Sequence, residues 1–365
     1  MASSEPSIRI VLLFGGQSAE HEISRISAAH VLRAIDRSRY QVDPIAISTT
    51  GQWLRSDSTV EALASADRIG SSSELPDRLE SDGTSVDPLE ALAATSTNQN
   101  VVVLPILHGP RGEDGTVQGL LEVANVAYVG CGVLGSALNM DKAMSKVVAS
   151  AAGLPVAKWI TLRDNEISDS IAQRVQSELG WPVFVKPANM GSSVGISRAT
   201  DAASLDQAIA LATQFDEYIV VEEAIAGREL EVGVIGYGNP TASVVGEIVP
   251  THDFYDFEDK YLEGAATMVI PAAIPDEVAQ QMRALALDAY TALRCDGLAR
   301  VDFFYDAEGR GLVFNEINTM PGFTPYSMFP SLWAAAGLTY EALIDELIRL
   351  AIERNEHRRS HLRQR

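Results

Sequence analysis

Cysteine is scarce in this 365-residue chain: Cys131 and Cys295 are the only two. Neither sits in a metal-binding spacing, so a disulfide scaffold and a thiolate zinc site are excluded, and so few thiols point to a reducing compartment. Positive charge is short as well. Lys and Arg number 28 against 49 Asp and Glu, a net charge of −21, which argues against nucleic acid or an anionic membrane as partner. An anionic substrate would have to be met by a few focused cations. No apolar run reaches the roughly 20 residues that span a bilayer, and the opening MASSEPSIRI lacks the apolar core of a secretory leader. The expectation is a cytoplasmic protein. Also missing is the G-x-x-x-x-G-K-[ST] phosphate loop. GCGVLG at 130–135 matches G-x-G-x-x-G, but the acid that a dinucleotide site needs further on is absent, the region reading AAGLPVAKW. That run is read as a strand-to-helix turn, and a nicotinamide dehydrogenase would rest on it alone.

What is present suits a globular chain of two or three domains: 46% of residues are apolar. IRIVLLF (8–14), a helix carrying Ile23, Ile26, Val31, Ala34 and Ile35, and YQVDPIAI (40–47) open a β/α alternation. VVVLPIL, TVQGLLEVAN and VAYVG continue it, which predicts a parallel α/β sheet. Pro44 predicts an edge or a bulge. Residues 48–100, rich in Ser, Thr, Asp and Gly, predict a surface insertion that is partly disordered. SALNMDKAMSKVVASAAG predicts one helix stopped at Gly153, and the basic NEHRRSHLRQR predicts an end fraying into solvent. The expected divisions are 1–139, 140–228 and 229–365.

Chemistry gathers in three stretches. VFNEINTMPGFT (313–324) sets Glu316 and Asn318 two apart on a strand, hence on one face. The strand GLARVDFFYD precedes it across AEGRG, and a hairpin centred on Gly309 puts Asp302 opposite Glu316, with Arg300 on the same face. Such a cluster is either a polar solvent face or a hard oxygen site suited to Mg²⁺. VFVKPANMGSSVGIS (183–197) delivers Lys186 on a strand and then a glycine-serine loop that can cradle phosphate; a plain hairpin turn is the alternative. EYIVVEEAIAGRELEV ends a strand in Glu222 and Glu223, with Glu229 beyond. THDFYDFEDKY (251–261), aromatic and charged, reads as a lid.

Together with GGQSAEHEIS, HGPRGEDG and NMDKAMSK, these motifs resemble the D-alanine–D-alanine ligases of the ATP-grasp superfamily, in family order over nearly the whole chain. The long 48–100 segment resembles the branch with an enlarged first domain. The resemblance implies an α/β (α+β) ATP-grasp fold behind a parallel α/β domain. It implies ATP and two Mg²⁺ ions as cofactors, with Mn²⁺ as a substitute, D-alanine as substrate, and a homodimer. Lys142 and Lys186 match lysines on the ATP phosphates, Glu222 and the backbone of Ala224 and Ile225 the adenine hinge, and Glu229 the ribose contact. Ser193, Glu223, Phe304 and Asn315 are further nucleotide positions. Asp302, Glu316 and Asn318 match the metal ligands. Glu20 matches the receiver of the first D-alanine's ammonium, with His108 nearby and Ser192 and Tyr261 linking it to the closing loop. Lys260, Ser327 and Met328 match the region that holds the second carboxylate, and Arg300 with the Gly322 amide the oxyanion pair. Met190 departs from a loop position that is often acidic, and Met320 lies where relatives vary. The tyrosine at 261 implies peptide rather than ester formation. Rival readings are a depsipeptide-forming relative, another ATP-grasp carboxylate–amine ligase, and a nucleotide-binding regulator without turnover.

Overall fold

Strand β1 (Ile8–Gly15) is apolar at all but Arg9 and is buried almost throughout. The computed structural model describes residues 8–69, 75–94, 100–168, 170–249 and 267–362. Around β1 a six-stranded sheet is built in the order β4-β3-β2-β1-β5-β6, from β2 (Tyr40–Ile47), β3 (Trp53–Arg55), β4 (Thr84–Ser85), β5 (Asn100–Leu107) and β6 (Ala127–Tyr128). The β2-β1-β5-β6 part is parallel, as the β/α alternation predicts. Helices α1 (His21–Ala34), α2 (Asp57–Ile69), α3 (Pro88–Leu92) and α4 (Thr116–Val123) connect it.

Two expectations fail here for local reasons. Pro44 lies within β2, neither at an edge nor in a bulge; β3 pairs only with Ile45–Ile47, so its missing N–H falls just beyond that ladder. The 48–100 segment is not a loose insertion where it is described. β3 and β4 join the sheet antiparallel, and its short apolar patches place Leu63, Leu75, Leu79 and Leu92 in the cores. Residues 70–74 and 95–99 lie outside the description.

The single helix expected before Gly153 is two, α5 (Val133–Met140) and α6 (Lys142–Ala151). Asp141 between them is extended and accepts the Met144 N–H at 3.0 Å, an N-cap that restarts the helix and aims Lys142 and Lys146 along one face. A second, antiparallel sheet follows in the order β7-β10-β8-β9, from β7 (Trp159–Arg163), β8 (Val183–Pro187), β9 (Ser197–Ala199) and β10 (Tyr218–Glu223). Helices α7 (Ile171–Glu178) and α8 (Ala202–Ala212) share its core.

A third sheet runs β13-β12-β11-β14-β15, from β11 (Arg228–Gly236), β12 (Thr241–Val249), β13 (Thr267–Val269), β14 (Gly297–Asp306) and β15 (Gly311–Asn318), all antiparallel. Helix α9 (Asp276–Ala292) packs on one face through Met282, Ala286 and Ala289. Helix α10 (Met328–Ala335) covers the other. It lies so close there that a Cβ on Gly233 would meet Trp333 and one on Gly246 would meet Leu332 and Met328.

The closing helix α11 (Tyr340–Leu362) corrects the frayed-end expectation over residues 355–362. Arg354 is buried, stacks 4.2 Å over the Tyr128 ring, and donates to the carbonyls of Tyr128 and Gly130. Arg358 pairs with Glu122, and Arg359 donates to the Asn125 carbonyl at 2.9 Å. The basic residues answer acceptors at the end of α4 and at β6, so the third part of the chain is clamped to the first. Arg354→Ala is expected to cost about 2–3 kcal/mol by leaving those carbonyls without a donor and losing the stacked cation, measured as a lower urea midpoint.

Candidate active site

Sheet register assembles the charged face. Glu231 on β11 lies opposite Asp302 on β14, which lies opposite Glu316 on β15. One step along, Gly233, Arg300 and Asn318 form the next row. Directly opposed residues point to one side of a sheet, and residues two apart share that side, so three carboxylates, an amide and a guanidinium converge. The expected pairing of Asp302 with Glu316 is present, but by an unforeseen route. Asp306 opposite Gly311 centres the turn between Glu308 and Gly309, and a bulge restores the register by leaving Asn315 unopposed between Phe314 and Glu316.

Arg300 contacts both Asp302 oxygens, at 2.8 and 2.7 Å, and its Nε lies 2.9 Å from Glu231. Glu231 was missed by sequence reasoning. The signal was there: in RELEVGV, acids at 229 and 231 share one face of an otherwise apolar strand.

Facing this row is a second charged group. Lys186 on β8 donates to one Glu222 oxygen at 2.9 Å, and Lys146 on α6 lies 3.2 Å from the other. Lys146 also donates to the carbonyl of the bulged Asn315 at 3.3 Å, tying all three together. Burial alone would raise the Glu222 carboxyl, but the two ammonium charges outweigh it and hold it down at about 2. Burial pushes Lys146 down; Lys186 is held up against burial by Glu222 and Glu316. Lys146 too was missed, although four residues after Lys142 it had to share that helix face.

Lys142 reaches the loop after β8, donating to the Met190 carbonyl, and lies 3.9 Å from Glu316. In that loop Ser192 and Ser193 adopt φ of 51° and 58°, a left-handed turn that L-residues enter at a cost of ~1–2 kcal/mol each. Ser192 donates its hydroxyl to Glu20; the rest of the expected link to the closing loop, through Tyr261, lies outside the described residues. His108 lies beside them, Nδ1 3.1 Å from the Met320 carbonyl and 3.6 Å from Glu113. Burial pulls His108 down, but Glu113 and Glu20 turn the net direction upward, while burial raises Glu113 to about 6.

Two cavities open onto these groups. One, of about 390 Å³, is lined by Glu20, His108, Lys142, Ser192, Asn318, Gly322, Ser327 and Met328. The other, of about 360 Å³, is lined by Lys186, Ser193, Glu222, Glu223, Ile225, Glu229, Asp302, Phe304 and Asn315. Glu231, Ile248, Arg300 and Glu316 belong to both. At the far end of the second cavity, Glu223 is held by Arg310 and by the Lys158 N–H at 2.7 Å. The Ala224 N–H is taken by the Pro182 carbonyl, leaving that residue its carbonyl to offer a ligand. Lys260 and Tyr261, with the rest of the proposed lid at 251–261, lie outside the described residues.

Among the described residues no group of three or more His, Cys, Asp or Glu side chains is arranged to hold a metal. The donor chemistry nevertheless fits Mg²⁺: Asp302, Glu316 and Asn318 offer hard oxygens from one sheet face where the two cavities adjoin, Asp302 lining the second, Asn318 the first and Glu316 both, with no sulfur or imidazole among them. At present Asp302 is turned to Arg300, and Asn318 Oδ1 accepts the Met320 N–H at 3.1 Å.

A cavity clasped between two antiparallel sheets, with a lysine-bearing strand and glycine-serine loop on one and a carboxylate row on the other, defines an ATP-grasp ligase. The sequence matches the family descriptions "D-ala D-ala ligase N-terminus" over residues 9–131 and "D-ala D-ala ligase C-terminus" over 148–349. The chain belongs to the D-alanine–D-alanine ligase family. It is 45% identical to the D-alanine–D-alanine ligase of Ruminiclostridium cellulolyticum, covering 96% of this chain and 97% of that one. The Bacillus licheniformis enzyme of the same name is 44% identical over 96% and 97%. Among solved structures, the Coxiella burnetii D-alanine–D-alanine ligase superposes with a TM-score of 0.80 at 34% identity, covering 98% and 97%. The VanG D-Ala:D-Ser ligase of Enterococcus faecalis gives 0.78 at 33%, covering 94% and 99%. No helix among the described residues is long and apolar enough to cross a membrane.

Proposed function

We infer that the protein joins two D-alanines at the expense of ATP, through an acyl phosphate on the first. The observation that carries this is the shared wall: Arg300 and Glu316 face both cavities. A carboxylate resists amine attack because it is already anionic and has no leaving group. Phosphorylation supplies one, and needs a nucleotide and an amino acid to meet at one point.

On this reading the second cavity holds ATP. Lys186 and Lys142 neutralise its phosphates, the 191–195 loop cradles them, Glu229 takes the ribose, and the backbone near Ala224 and Ile225 takes the base, with Glu222, Glu223, Ser193, Phe304 and Asn315 around them. Asp302, Glu316 and Asn318 would hold Mg²⁺, which spreads the charge of the transferring phosphoryl group. In the first cavity Glu20 receives the ammonium of the first D-alanine, with His108 at hand and Ser192 fixing the carboxylate. The second D-alanine lies by Ser327 and Met328, under Lys260 and Tyr261 of the lid, and attacks through its neutral amine. Arg300 and the Gly322 amide stabilise the tetrahedral oxyanion until phosphate leaves. The reading places the enzyme in the cytoplasm as a homodimer, and Tyr261 favours peptide over ester.

Phosphate release is to be measured with ATP, Mg²⁺ and D-alanine, alone and with D-serine or D-lactate, with products identified by mass. D-Ala-D-Ala is expected to dominate every mixture. A mixed peptide or ester as the main product would reassign the acceptor site and the role of Tyr261. ATP binding without turnover for any pair would remove the catalytic roles.

A further inference from the structure

We propose that Glu231 is a positioning residue that keeps the Arg300 guanidinium aimed when Asp302 is engaged by a cation. The proposal rests on the ligase reading above, in which Arg300 meets the oxyanion and Asp302 is a metal donor.

Arg300 lies between two carboxylates: it donates to both Asp302 oxygens, and its Nε, whose one N–H goes to Asp302, lies 2.9 Å from Glu231 Oε2 as an ion pair rather than a hydrogen bond. These partners are not equivalent. Asp302 stands between Glu231 and Glu316 in the register and belongs to the oxygen donor set; a carboxylate that serves a divalent cation has less charge left for a guanidinium. Arg300 would then loosen at the step in which its direction matters. Glu231 lies one strand further from that donor set, with its side chain only 7% exposed. Its strand β11 is paired on both sides. Its neighbour across β12 is Gly246, which offers no side chain to compete for the carboxylate. The neighbour of Arg300 on β11 is likewise a glycine, Gly233, and α10 closes over both glycines. Glu231, which lines both cavities, therefore has a place fixed by its strand beside the Arg300 guanidinium.

The test is a double-mutant cycle. Glu231→Gln keeps the shape and removes the charge; it is expected to lower kcat about 30-fold while the KM for ATP changes less than about threefold. In an Arg300→Lys background the same change should cost less than about threefold, because the group it positions is gone. Glu231→Asp, which retains the charge, should recover part of kcat. Calorimetric binding of ADP without Mg²⁺, and the melting midpoint, give readouts apart from turnover; both should stay close to the parent protein in Glu231→Gln. Equal losses in both backgrounds, or a Gln variant within twofold of parent kcat, overturn the proposal. Should the Gln variant melt early, the cycle is run with Glu231→Asp, and additivity there overturns it equally. Absence of D-Ala-D-Ala from the parent protein would instead sink the ligase reading itself.

Discussion

Arg300→Met is expected to lower kcat by about 10³-fold, with a much smaller change in the KM for ATP. Removing a single preorganised donor from an oxyanion typically costs 10²–10³ in kcat, and a guanidinium brings a full charge to a half-buried wall where water screens less than in bulk. The split follows from timing: negative charge on the reacting carbonyl oxygen exists only near the transition state, whereas on the proposed reading the nucleotide is held mainly by Lys142, Lys186 and the glycine-serine loop. The substitution also leaves Asp302 and Glu231, both buried, without their shared cation. Kinetics must therefore be read beside a melting curve. Loss of kcat with an intact fold supports the oxyanion role, and a kcat within tenfold of the parent would remove it.

The second large effect is on stability. Glu222→Gln is expected to cost about 3–5 kcal/mol near neutral pH, because one anion now balances two buried ammonium groups and the amide cannot. Its pH dependence has a definite sign. In the parent protein the Glu222 carboxyl is depressed from 4.5 to about 2, so its contribution is full above 4.5 and is lost as pH falls toward 2. In the Gln variant the acid has gone, and Lys146 and Lys186 are buried without a counter-ion. Their folded pKa values then fall below those of the unfolded chain, which binds more protons, so the variant should gain stability as pH rises through the alkaline range. Urea midpoints from pH 3 to 10 would check both limbs. A Gln variant as stable as the parent at pH 7 would mean that the two lysines find other partners or are already neutral.

How legible all this was depended on distance along the chain. The hairpin of Asp302 and Glu316 was readable because its strands are separated by a short turn and alternate cleanly. Even so, the right pairing depended on a bulge at Asn315, which compensates a turn centred half a residue early. Glu231 and Lys146 escaped because burial of a charge is decided by what lies opposite, and their partners are dozens of residues away. The split between α5 and α6 was a local matter and could have been read from Asp141, a strong N-cap in the middle of a helical pattern. The docking of Arg354, Arg358 and Arg359 could not: a basic helix end looks alike whether it meets water or the acceptors at the end of α4 and at β6. Polar composition misled at 48–100, where a few leucines suffice to anchor short elements in existing cores.

The two cavities share the side chains of Glu231, Ile248, Arg300 and Glu316 as a common wall. On the proposed reading, a labile mixed anhydride made beside that wall would have no distance to travel, since the residues facing its formation also face its consumption. The same adjacency has a pharmacological side. A molecule with a nucleotide-like head and an amino-acid-like tail, joined by a tetrahedral phosphorus at Arg300, would fill both chambers as one body. It would lose its translational freedom once instead of twice, and should outlast either fragment on the protein by orders of magnitude.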